Sequence, residues 1–231
     1  LSVEFGVESG NMFADVTGFT SMSEKLDPED VHQIMNGCFS ILMDEVHKCE
    51  GTVNEFRGDG VMALFGAPIA HEDHAQRACH AALSIQKGLV PYGEKLKKDY
   101  GIDFKMRIGL NSGPVVVGVI GDDLRMDYTA QGDTANLAAR METNAAPGTV
   151  LVAKQTYRLT KDVFDYEELG KIQVKGKETG VEAYRLKETA SIIRPRPVRE
   201  VYSDMIGRDQ ELSRLELQIL KAVNGEGSVV N

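Results

Sequence analysis

Thr52–Gly66 reads TVNEFRGDGVMALFG. Two short β-prone runs, Thr52–Arg57 and Val61–Phe65, flank Gly58-Asp59-Gly60, and Asp-Gly between apolar runs is a strong hairpin signal. A carboxylate is therefore expected at a hairpin tip. Taken alone, Asp59 is turn chemistry, because aspartate tolerates the backbone that tight turns demand, and Gly58 and Gly60 are turn formers first. A second stretch, Asn11–Thr20, reads NMFADVTGFT: a short apolar run ends in Asp15 and turns at Thr17-Gly18. If both runs belong to one sheet, Asp15 and Asp59 reach neighbouring strand ends, the simplest arrangement for holding a divalent metal.

Composition narrows the classes. The chain has 231 residues, enough for one substantial core plus an appendage, with 42% hydrophobic and 26% charged residues, as in ordinary globular proteins. No run of 18 or more apolar residues offers a membrane segment, and no basic stretch followed by an apolar one opens the chain, so a cytoplasmic location is the expectation. Cys38, Cys49 and Cys79 are an odd count without metal-ligand spacing, which suits a reducing compartment; Cys38 falls on an apolar helical face and reads as core. A net charge of −9 argues against a general nucleic-acid partner. Any anionic substrate must be held by a few local cations or by metal.

Residues 1–10 show no clear period and read as an N-terminal extension. Asp27-Pro28 is a helix start, and Val31, Ile34, Met35, Cys38, Phe39, Leu42, Met43 and Val46 recur at helical spacing up to Gly51. After the Thr52–Phe65 hairpin, a second helix is predicted from about His71 to Asp99, bent near Gly88 and Pro91. His71, Asp73 and His74 could be metal ligands, but at a helix start capping and surface roles are the simpler reading. Phe104–Leu110 and Pro114–Ile120 are predicted as a strand pair joined through Asn111-Ser112-Gly113, the second strand central because it is apolar on both faces. Asp122–Thr129 is a polar loop, and a helix follows from near Gly132-Asp133-Thr134, with Asn136 and Arg140 on one face, either as a surface pair or as functional groups. Short strands are predicted at Val150–Ala153, Asp165–Leu169, Lys171–Val174 and Ala183–Leu186, with a small helix at Gln155–Thr160 and a basic turn at Lys175-Gly176-Lys177. Residues 188–205, rich in proline and arginine, read as a linker, and residues 206–231 as the truncated start of a second domain.

In this order, FADVTGFT, FRGDGVMALFG, MRIGLNSGPVVVG, YTAQGDTANLAARME and VKGKE resemble the catalytic domain of class III nucleotidyl cyclases, the adenylate and guanylate cyclases, over roughly residues 11–187. The resemblance implies an α/β (α+β) ferredoxin-like domain with a βααβαββ core, its helices packed on a mostly antiparallel sheet. By position Asp15 and Asp59 match the family's metal-binding aspartates, with Val16 beside them, and two magnesium or manganese ions per site are implied. Asn136 matches the asparagine that orients the ribose, Arg140 the arginine that stabilises charge on the α-phosphate, and Lys175 the lysine at the terminal phosphates. Arg125, Phe19 and Thr20 complete the implied substrate-binding set. Family sites form between two subunits, so a head-to-tail homodimer with ATP or GTP as substrate is implied. At the purine-selecting positions Glu55 points to guanine, because an ionised carboxylate only accepts hydrogen bonds, while Thr129 points to adenine. The LFGAP ending of the hairpin motif resembles adenylate cyclases, so ATP is favoured over GTP. A degenerate nucleotide-sensing dimerisation module and a metal-dependent phosphohydrolase are the competing classes. IGRDQELSRL, from Ile206, resembles the entry to an ATPase-type regulatory domain, although no GxxxxGK[ST] loop is present.

Overall fold

The computed structural model describes residues 4–118, 133–174 and 179–190, which lie within one compact unit, Leu1–Arg194. In chain order the elements are β1 (Glu4–Val16), α1 (Phe19–Ser23), α2 (Pro28–Lys48), β2 (Gly51–Arg57), β3 (Gly60–Phe65), α3 (His74–Tyr100), β4 (Met106–Gly118), α4 (Asp133–Asn144), β5 (Val150–Ala153), α5 (Lys154–Thr160), β6 (Phe164–Ile172) and β7 (Val181–Thr189). The seven strands form one sheet in the order β2-β3-β1-β4-β5-β7-β6. Every described pairing is antiparallel except β4 with β5. This is the expected α+β architecture of a mostly antiparallel sheet carrying helices.

The sheet has two unlike faces because side chains alternate along each strand. Met12, Ala14, Met106, Ile108 and Leu110 join Ile34, Cys38 and Leu42 of α2 and Ala82 and Ile85 of α3 in the main core. Burying each large side chain there is worth roughly 1.5–3 kcal/mol. Phe13, Met62, Leu64 and Val115 point the other way and meet Ala135 and Ala138 of α4. Asp15 and Arg107 share that second face by alternation. Cys38 is fully buried, and burial pushes its thiol up to about 12.

Helix α2 begins at Pro28 with acidic Glu29 and Asp30 in its first turn, where the helix dipole favours them. It crosses α3 at small residues. A Cβ on Gly37 would lie 2.4 Å from Tyr92 Oη, and one on Gly88 would lie 3.0 Å from Ile41 Cγ2. Tyr92 Oη donates to Ile34 O at 2.8 Å, which fixes the crossing. Gly88 thus serves packing, and α3 runs unbroken through it and through Pro91.

Four expectations need correction. Residues 4–10 are not an extension but the first half of β1, paired from Glu4↔Gly118 to Gly10↔Ser112. Their partner lies a hundred residues away, so no local period announces them. Asn111-Ser112-Gly113 is no turn: β4 is one 13-residue strand. Its polar side chains find partners in the interior, Asn111 Nδ2 donating to Thr134 O at 3.0 Å and Ser112 Oγ meeting Thr156 Oγ1 at 3.0 Å. The two strands expected at 165–174 are one, β6, with a register shift at Gly170, whose φ of 73° only glycine adopts without strain. Finally, β7 continues through Thr189, so residues 188 and 189 are strand rather than linker. The expected Asp122–Thr129 loop, the basic turn at residue 175, residues 191–205 of the linker and residues 206–231 lie outside the described residues.

Candidate active site

Asp15 sits one residue before the end of β1, its Cα opposite Gly60 on one side and Arg107 on the other. Asp59 lies in the two-residue turn between Arg57 and Gly60, entered through Gly58 at φ 64°. The N–H of Val16 donates to Asp59 O at 3.3 Å, tying strand end to hairpin tip. Both acids therefore stand at the same end of the neighbouring strands β1 and β3, as the two sequence stretches suggest.

Their charges repel. The Asp59 carboxyl is held above the ordinary aspartate range, first by partial burial and then by the charge of Asp15, with Arg107 opposing the shift. Arg107 is the local counter-ion. Its Nη2 donates to Asp15 Oδ2 at 2.8 Å, its Nη1 reaches Thr143 O at 3.4 Å, and its Nε lies 3.2 Å from Glu142 Oε1. Burial raises the Glu142 carboxyl, and Arg107 works against that rise. Two adjacent carboxylates, one of them without a cationic partner among the described residues, are a hard-oxygen donor set that fits magnesium or manganese.

Helix α4 is placed by a glycine. A Cβ on Gly109 would lie 2.0 Å from Glu142 N and 2.3 Å from Ala138 O, so the helix backbone rests directly on β4. Thr134 Oγ1 donates to Pro114 O at 2.8 Å and pins the helix start. Asn136 is exposed and Arg140 half-buried on this helix, and Arg140 Nη1 is buried with no partner among the described residues. Neither side chain hydrogen-bonds or ion-pairs with Asp15 or Asp59 within the described chain. Within one copy the acid pair and the Asn136 and Arg140 side chains are thus not bonded to each other.

The remaining candidates are distributed as follows. Phe19 opens α1 and packs partly against the core, while Thr20 is exposed and its carbonyl accepts from Ser23 Oγ at 2.9 Å. Glu55 is exposed on β2, just past the bulge at Asn54, and accepts from Arg57 Nε at 2.9 Å. Arg125, Thr129 and Lys175 lie outside the described residues. His71 faces Glu50 at 3.3 Å and Asp73 pairs with Arg77 at 2.6 Å. His74, expected to cap or face solvent, is instead buried against Gly66 and Gly10 with Nδ1 3.0 Å from His71 O. Among the described residues no cluster of three or more His, Cys, Asp or Glu side chains is placed to close on an ion. No described helix is long and apolar enough to cross a membrane. A cavity of about 680 Å³ between α3, the start of β4 and the end of β7 contains neither acid in its lining.

Sequence reasoning missed Arg107 and Glu142. The available signal was a lone cation in the otherwise apolar MRIGL stretch, but its importance depends on the register that sets it opposite Asp15.

Comparison with known proteins bears on this arrangement. Residues 8–188 match the family model described as the adenylate and guanylate cyclase catalytic domain. The chain belongs to that family. This cyclase domain is 33% identical over 199 residues to Adenylate cyclase 1 of Rhizobium meliloti (strain 1021), covering 80% of the chain and 30% of that protein. It is 33% identical over 170 residues to an adenylate cyclase of Mycobacterium tuberculosis (strain ATCC 25618 / H37Rv), covering 74% of the chain and 37% of the relative. The chain thus spans about a third of the length of these curated relatives. Guanylate cyclases are similar too: the soluble subunit beta-2 of Rattus norvegicus is 32% identical over 172 residues, 72% of this chain and 24% of that one. Among solved structures, the adenylyl cyclase CyaB from P. aeruginosa superposes with a TM-score of 0.76 at 31% identity, covering 82% of this chain and 98% of that one. The guanylate cyclase domain of RhGC from Catenaria anguillulae, in complex with GTP, gives 0.71 at 30% identity, over 81% and 100%.

Proposed function

We propose that this cyclase domain converts ATP to 3′,5′-cyclic AMP and pyrophosphate by attack of the ribose 3′-hydroxyl on the α-phosphate. The observation that carries the reading is the meeting of Asp15 and Asp59 at one end of β1 and β3, with Val16 fastening the two segments. Asp15 and Asp59 would hold the divalent ions, whose chemistry when bound is to acidify the attacking hydroxyl and neutralise the leaving pyrophosphate. Asn136 orients the ribose, Arg140 stabilises negative charge gathering at the α-phosphate, and Lys175 contacts the terminal phosphates. An unpartnered buried Nη1 on Arg140 suits a group reserved for an anion.

Neither Asn136 nor Arg140 bonds to the acid pair of its own copy, which suits a head-to-tail homodimer as the working unit. Each interface then joins the acids of one copy to α4 of the other. The first relatives and the CyaB structure, all named as adenylate cyclases, favour ATP. Glu55 favours the second reading, a guanylate cyclase, since its exposed carboxylate can accept from guanine N1 and the 2-amino group. Residues 206–231 are read as the start of an ATPase-type regulatory domain.

The test is to incubate the full chain with manganese and ATP or GTP and to measure cyclic nucleotide and pyrophosphate together. The expected result is equimolar cyclic AMP and pyrophosphate, faster than the guanine pair. Absence of both cyclic products at high protein concentration overturns the reading, and inorganic phosphate without cyclisation turns it towards a phosphohydrolase.

A further inference from the structure

Arg107 is shared among three acceptors, Asp15, Thr143 O and Glu142, and is not equally well bonded to all of them. It commits Nη2 to Asp15 at 2.8 Å, whereas its contact with Glu142 is an ion pair at 3.2 Å without hydrogen-bond alignment. Both Arg107 Nε and Glu142 Oε1 are buried and lack hydrogen-bond partners. Leaving two buried, oppositely charged atoms adjacent but unbonded is costly, and a small rotation of the guanidinium would join them. The contact at Thr143 O, 3.4 Å away, is also long. The short bond to Asp15 and the longer, poorly aligned contacts to α4 are made at the same time.

Resting on the reading of Asp15 as a cation ligand, we propose that Arg107 is a two-position counter-ion. It neutralises Asp15 until a divalent cation takes that carboxylate, and it then completes its pair with Glu142, which is a positioning residue. Two forces drive the transfer in one direction. A divalent ion on Asp15 and Asp59 repels the guanidinium, and the open acceptor on Glu142 receives it a short distance away. The movement changes α4 as well as the acids, because Glu142 and Thr143 lie in the last turn of that helix. Cation binding at the strand ends and seating of α4 on β4 are thereby linked, and linkage is reciprocal. The helix so tightened carries Asn136 and Arg140, so each copy's cation occupancy bears on the half-site it lends to its partner.

Two readouts on the full chain test this without turnover. Manganese alone, titrated with free ion followed by electron paramagnetic resonance, should bind about tenfold tighter to Arg107→Met, which lacks the competing cation, and about tenfold weaker to Glu142→Gln, which no longer offers it a charge. Equal or weaker binding by Arg107→Met overturns the proposal. Amide hydrogen exchange of residues 140–144 should slow several-fold on adding saturating magnesium to the parent chain and show no magnesium response in Arg107→Met. A merely structural Arg107 would leave parent exchange indifferent to magnesium, which also overturns the proposal. Should Arg107→Met fail to fold, Arg107→Gln serves the same purpose. Asp15→Asn separates the two failures: manganese binding that survives it defeats the cation-ligand reading itself, whereas binding lost in Asp15→Asn with no exchange response in the parent defeats the transfer alone.

Discussion

Gly109 of β4 lies so close beneath Glu142 of α4 that a single added carbon would sit 2.0 Å from the Glu142 amide nitrogen. The helix that carries Asn136 and Arg140 is therefore positioned by backbone-to-backbone contact, which cannot yield as a flexible side chain can. Gly109→Ala should push α4 off the sheet and cost roughly 3 kcal/mol of stability, towards the upper end of overpacking effects. Chemical denaturation measures it, and a change below about 0.5 kcal/mol, the scale of a neutral surface substitution, would contradict the packing described.

The acid pair gives the second prediction. Asp15→Asn and Asp59→Asn should each lower cyclisation by more than the ~10–100-fold that loss of an outer partner of a metal ligand costs. Asp59→Asn should not reduce stability in metal-free buffer, since the carboxylate is disfavoured there by burial and by its neighbour Asp15. Thermal unfolding beside the activity assay distinguishes the two effects.

A mixing experiment addresses assembly. Asp15→Asn and Arg140→Ala chains, each losing on the order of 100-fold or more in rate alone, should recover activity when combined, because one interface of the mixed dimer pairs intact acids with an intact α4. The recovered rate should approach a quarter of the parent's, from half the chains pairing productively at one of two sites. No recovery at concentrations where the chains exchange would place the whole site within one copy.

The pH dependence follows from the raised carboxyl groups. Asp59 and Glu142 both titrate above their ordinary values in the folded chain, for reasons led by burial. Between the ordinary and the raised values the folded state binds more protons than the unfolded one, so stability without metal should fall as pH rises through that window. Cation binding needs the ionised acids and should strengthen over the same window. Melting temperature with manganese minus that without should therefore grow with rising pH, and Asp59→Asn should flatten most of that growth.

Base choice is the fifth prediction. Glu55 is half exposed and held by Arg57 on the same strand, so Glu55→Lys replaces an attractive pair with two like charges while supplying a donor for adenine N1. The ratio of ATP to GTP turnover should rise. An unchanged ratio would mean that residue 55 does not touch the base.

What was legible in the sequence was local. The Gly58-Asp59 turn, the apolar face of α2 from Ile34 to Val46 and the helix bearing Asn136 and Arg140 are each written within a dozen or so neighbouring residues, and each occurs where expected. What escaped depends on distant partners. Glu4–Gly10 is strand because β4 lies beside it, and Asn111-Ser112-Gly113 stays extended because Thr134 and Thr156 take up its polar groups. Turn-forming residues at a buried strand centre imitate a turn in any local reading. Of the site, the two acids could be anticipated from apolar runs ending in aspartate, but Arg107 and Glu142 could not, since their meaning lies in cross-strand register and in the glycine beneath α4.

Strand β1 is laced over its whole length to β4 and over its second half to β3, and Asp15 is embedded in both ladders. A residue anchored on two sides cannot be withdrawn without dismantling the middle of the sheet. In the head-to-tail dimer proposed above, control that leaves this acid in place would act on the approach of a second copy, by company rather than by contortion.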